Sequence, residues 1–166
     1  MRLLCMTRKK VSSSRLLPDD RALRSVQGPH QIQLENGEWR VSSAAFLRST
    51  ADAAVSVDLE QLLRRDGLPP HALYPAVPNS VALAGLPVGV ARNHGTEVEH
   101  HPIRSNWYHG GITGEALAKP AVRKKLAKAC HFVIPVDRGE ATTLENRRRA
   151  ILGKELLSEP DNQTST

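Results

Sequence analysis

The chain has 166 residues, of which 40% are hydrophobic, 24% charged and 4% aromatic, with a formal net charge of +6. This is ordinary globular usage at the size of one domain, and it excludes a fibre, a disulfide scaffold and a wholly disordered chain. No apolar run approaches the roughly 18 residues of a membrane-spanning helix, and two Trp, two Tyr and two Phe are too few for a platform of base-stacking aromatics.

The charge is uneven along the chain. Residues 1–28 carry +5, residues 29–110 carry −2 and residues 111–166 carry +3. Basic ends around a slightly acidic centre suggest weak nucleic-acid contact through the ends rather than one basic groove. Cys5 and Cys130 form no CxxC pair and read as free thiols of a reducing compartment. Arg8, Lys9 and Lys10 end the opening apolar stretch well short of a signal-peptide core, so the expected location is cytoplasmic.

Residues 1–20, rich in Lys and Ser, read as a flexible basic arm, with Asp19 and Asp20 capping a short turn that carries Arg21 to Val26. Gln31 to Leu34 and Trp39 to Ser42 flank Asn36-Gly37, a pair that tolerates positive φ, and predict a β-hairpin. Ala53 to Val57 has strand character, and Asp58 is placed to cap a helix over Leu59 to Arg65 that Gly67 closes. Four prolines make residues 66–79 a stiffened loop. Ser80 to Ala84, a helix beginning near Pro87, and Thr96 to His101 give a strand–helix–strand run over residues 80–103. Its crossover is right-handed if the two strands are parallel neighbours. Trp107 to Ile112 predicts a strand, Glu115 to Ala129 a helix that Pro120 either kinks or divides by starting its second part, and His131 to Ile134 a last strand. Thr142 to Glu145 has capping-box spacing and opens a C-terminal helix to about Leu157, before a polar, disordered tail over residues 158–166.

The expected fold is therefore α/β, or mixed α+β. It has a small mixed sheet with an N-terminal hairpin, a central β-α-β run and a C-terminal helix. Residues 21–136 form the single domain, and a helix over 137–157 packs on it or extends from it.

Five stretches hold residue types suited to chemistry. Ser42 and Ser43 end a strand before small residues, where they either cap a turn or bind a ligand; no GxSxG elbow surrounds them. Asp58 either caps the following helix or accepts from a ligand. His94, His100, His101 and His109, near Glu97 and Glu99, match no metal-ligand spacing, and His100 and His101 point to opposite faces of a strand. Asn106 and His109 frame Trp107-Tyr108 and precede Gly110-Gly111, the densest stretch of functional groups. Arg123, Lys124, Lys125 and Lys128 are either a solvated helix face or a phosphate contact. No motif implies a cofactor or a metal.

The order Val41-Ser42-Ser43-Ala44-Ala45-Phe46, Ser56-Val57-Asp58 and Asn106-x-x-His109, spread over about residues 24–134, resembles a family of small bacterial proteins that has no established activity. The resemblance implies that these residues meet in space; Trp107-Tyr108 stands where smaller residues are expected. Arg24, ahead of the serine pair, bears a distant similarity to ADP-ribosyl-transfer sites, whose usual catalytic acid has no counterpart here.

The expected function is a polar small-molecule or nucleotide-type site. His109 would be its proton donor or acceptor, and Asp58 its orienter or ligand acceptor. Ser42, Ser43, Asn106 and Arg24 would complete it. A non-enzymatic adaptor docking a partner protein through the basic arm and terminal helix is the alternative.

Overall fold

Burial on both faces of one strand organises the chain. In the computed structural model, which describes residues 8–48 and 54–137 together with Thr143 and Asn146, that strand is β1 (Arg21–Gln27). The hairpin β2 (Ile32–Glu35) and β3 (Glu38–Val41) follows, then β4 (Val55–Leu59), helix α1 (Glu60–Arg65), β5 (Ser80–Pro87) and helix α2 (Val88–Asn93). β6 (Glu97–His100), β7 (His109–Thr113), helix α3 (Pro120–Ala129) and β8 (His131–Ile134) complete the described elements.

Six strands form one sheet in the order β6-β7-β4-β1-β5-β8, with every neighbouring pair antiparallel, and β2–β3 stand apart as a two-stranded ribbon. The fold is α+β. β5 and β6 run in the same direction, as the strand–helix–strand reading expects, but β7, β4 and β1 lie between them, so they are not neighbours. The hairpin turns at Asn36 and Gly37, both with positive φ (52° and 78°), and pairs Glu35 with Glu38 across a two-residue loop. Pro120 opens α3 after a separate 3-10 turn at Glu115–Ala118.

Residues 21–26 are no turn. They lie in a central strand whose Ala22 and Val26 enter the main core while Leu23 enters a second cluster with Leu63 and Leu83. The main core lies on one side of the sheet, where Val57, Ala84 and Ile112 meet Phe46, Val88 and Leu126. The second cluster lies under the 66–79 loop, which contributes Leu73 and Tyr74.

The N-terminal segment from Arg8 onward is not a free arm. Leu16 is buried and Val11 packs on the main core. Arg92 of α2 donates to the carbonyls of Ser13 and Leu16 at 2.7 and 2.9 Å and pairs with Glu97 at 2.9 Å. The fully buried His100 takes the backbone N–H of Val11 on Nδ1 at 2.9 Å. An N–H can only donate, so Nδ1 is unprotonated, and Nε2–H then donates to the Trp107 carbonyl at 2.6 Å. The Trp107 ring sits edge-on at 4.7 Å. The predicted C-terminal helix falls mostly outside the described residues; Thr143 and Asn146 are helical. No helix among the described residues is long and apolar enough to cross a membrane.

Burial lowers the His100 pKa below its ordinary 6.5, and the positive charges of Lys10, Arg65 and His101 push it the same way against the Trp107 carbonyl. The folded protein holds the ring neutral while the unfolded chain takes up a proton near 6.5, so this contribution to stability is present above that value and is lost as pH falls below it. The protection factor of the Val11 amide is therefore expected to drop as pH goes from about 7.5 to about 5.5, as read by hydrogen exchange. In His100→Gln that pH dependence should vanish.

Candidate functional site

The strand register assembles the site. Leu23 of β1 lies opposite Asp58 of β4, and Asp58 lies opposite His109 of β7, so the three side chains stand in a row on the second-cluster face of the sheet. Next to them opens a cleft of about 480 Å³, walled by Leu73, Ala76 and Val77 of the 66–79 loop and by Ile103, Ser105 and Asn106 of the β6–β7 connection. Ile103, 50% exposed, leaves an apolar rim.

Asn106 is the keystone of the β6–β7 connection. Its Nδ2 donates to Asp58 Oδ1 at 2.7 Å, its Oδ1 accepts the Tyr108 N–H at 2.9 Å, and its backbone closes a reciprocal pair with Ile103 at 3.1 Å each way. Asp58 is thus spoken for by a side chain across 48 residues, and α1 begins with no side-chain cap at all. The helix-cap expectation for Asp58 is corrected accordingly. Burial raises the Asp58 pKa above its usual 3.8, against the Asn106 hydrogen bond and the charge of His109, which both lower it. Among the described residues no Lys or Arg pairs with it.

His109 is oriented by backbone rather than by Asp58. Its Nδ1 lies 2.7 Å from the His101 carbonyl, which can only accept, so Nδ1 carries the proton. In the neutral ring Nε2 keeps its lone pair, and no group among the described residues bonds to it. A proton acceptor with a fixed tautomer beside a carboxyl whose charged form is disfavoured is an arrangement able to accept hydrogen bonds from a ligand and to take a proton from one. Beneath the row, a Cβ on Gly110 would lie 2.7 Å from the Glu99 carbonyl and 2.9 Å from Leu59, so the close strand spacing requires glycine there.

Of the residues singled out in the sequence, Asp58, Asn106 and His109 share this cleft, Arg24 borders it at the strand with its guanidinium committed to backbone carbonyls, and Ser42 and Ser43 lie apart from it. Ser42 Oγ accepts from Ala44 N–H at 3.2 Å and donates to the His30 carbonyl at 2.6 Å, capping the 3-10 turn Ser43–Phe46. Ser43 borders a different groove, beside the hairpin and α3. Arg24 follows Leu23, so its side chain falls on the opposite face of β1; there it donates to the carbonyls of Ala45 at 3.2 Å and Ser56 at 2.9 Å. Burial lowers its pKa. Of the histidines, His100 anchors the N-terminal segment and His101 meets Glu99 at 2.7 Å. No group of three or more His, Cys, Asp or Glu among the described residues could hold a metal ion.

The cleft wall at Leu73 and Val77 was missed in the sequence. Two apolar residues four apart in an otherwise proline-rich loop were the available signal. The His101 carbonyl, being backbone, left none. No family model, curated protein or solved structure matches the chain, so the resemblance carried by the serine, Asp58 and Asn106 segments transfers nothing to the site.

Asp58→Asn keeps an acceptor for Asn106 and removes a charge that burial disfavours. Because the folded pKa of Asp58 is raised, its contribution to stability is full below 3.8 and is lost as pH rises through the folded value. The variant should melt higher than the parent at neutral pH, with the difference closing as pH falls. Asn106→Ala strands Asp58 and the Tyr108 N–H and should cost about 1–3 kcal/mol in denaturant unfolding.

Proposed function

We propose that the cleft beside Asp58, Asn106 and His109 binds a small neutral or cationic molecule bearing hydroxyl or amine groups. The observation that carries this reading is the state of Asp58: half-buried, held by one amide, and facing an open cleft with no Lys or Arg ion-paired to it among the described residues. A ligand donor is what such a carboxyl lacks. Nε2 of His109 offers a second acceptor, and Leu73, Ala76, Val77 and Ile103 suit the apolar part of the same ligand. A phosphate suits the cleft poorly, because the Arg24 guanidinium is engaged on the other face of β1. Proton transfer through His109 is available to a bound ligand with an acidic hydroxyl.

A panel of monosaccharides, nucleosides and small amines titrated into the labelled full chain tests the reading. Amide shifts should concentrate at residues 56–58 and 105–109, and His109→Ala should weaken a binder by about tenfold or more, the loss of a charge-assisted or buried hydrogen bond. Absence of any binder, or shifts confined to β3 and α3, would refute it.

A further inference from the structure

A second groove, of about 550 Å³, lies away from the Asp58 cleft, between the β2–β3 hairpin on one side and α3 with β8 on the other. Its size falls within the roughly 300–1,000 Å³ of small-ligand pockets. Lys124 and Lys128 line it from α3, four residues apart and so on one helix face. Neither is within ion-pair distance of a carboxylate among the described residues. The hairpin's own charges are settled internally: Arg40 reaches Glu35 at 3.4 Å and Glu38 at 2.9 Å. Two aromatic side chains, Trp39 of β3 and Phe132 of β8, line the same space, both partly exposed. Cys130 also borders it, with burial pushing its thiol up to about 12, so that it stays protonated rather than becoming a thiolate.

We propose that this groove binds a nucleoside phosphate, its base against Trp39 and Phe132 and its phosphates on Lys124 and Lys128. Two ammonium groups without a carboxylate partner among the described residues, in one groove with two aromatic side chains, match a molecule that joins a planar ring to a short chain of negative charge. A single mononucleotide fits better than a nucleic-acid strand. A strand needs a run of phosphate contacts, and this groove offers two lysines from one helix face. The inference is independent of the Asp58 cleft, which lies on the second-cluster side of the sheet under the 66–79 loop.

Trp39 fluorescence reads the outcome in the full chain. The other tryptophan is removed by Trp107→Phe, which breaks no hydrogen bond because the buried Trp107 Nε1 has no partner among the described residues. ADP should quench Trp39 saturably at concentrations up to about 1 mM. Adenosine and pyrophosphate should each bind at least about tenfold more weakly than ADP, since each keeps only half of the recognised chemistry. Lys124→Ala with Lys128→Ala, both at exposed positions, should weaken ADP about tenfold or more and leave the melting curve unchanged. The proposal is overturned if ADP does not bind, or if the double variant binds ADP as the parent does. Tighter, steeply salt-dependent binding of single-stranded DNA than of ADP would overturn it too.

Discussion

A strand covered on both sides must sort its side chains by parity, and β1 does this for the whole molecule. Even-numbered Ala22 and Val26 enter the main core; odd-numbered Leu23 enters the smaller cluster. Because neighbouring strands are registered to β1, the sorting propagates. Asp58 opposite Leu23, and His109 opposite Asp58, inherit the smaller side. Arg24 inherits the larger side, and so it props the Ser43–Phe46 turn through the Ala45 carbonyl instead of facing the carboxyl. Polar residues separated by dozens of positions are brought together or kept apart by a one-residue difference in phase.

Much of the architecture was legible wherever local chemistry decides structure. Asn36-Gly37 specified its hairpin and His131 to Ile134 a strand with those bounds, and of the two readings of Pro120, kink or restart, the second is the one α3 follows. β1 was not legible for a physical reason. A strand buried on two faces loses the alternation by which half-buried strands are recognised, and Arg21 and Arg24 made the segment read as surface. Arg21 is in fact held by Glu60 through two 2.6 Å contacts, and Glu60 comes from α1, 39 residues away. The order of strands was equally hidden, since nothing local shows that β7, β4 and β1 come between β5 and β6.

The site was legible in part. Asn106 and His109 stood out because an amide and an imidazole three positions apart, beside two glycines, are an unusual density of function. Asp58 read first as a cap for the helix it precedes, and only a tertiary partner, the Asn106 amide 48 residues on, shows that its carboxylate is used elsewhere. The serine pair lies apart from this cleft for the opposite reason: a local cap satisfies Ser42 without any distant group, and Ser43 borders the other groove.

The attachment of the N-terminal segment has an implication for how this chain tolerates change. His100 grips the amide of residue 11, and Arg92 grips the carbonyls of residues 13 and 16; all three gripped groups belong to the main chain. Such a clasp is indifferent to the identity of Ser12, Ser13, Ser14 or Arg15, so those positions are free to drift so long as the backbone path, Val11 and Leu16 persist. Much of the information that fixes this edge of the molecule is stored some eighty residues downstream, in the side chains of Arg92 and His100.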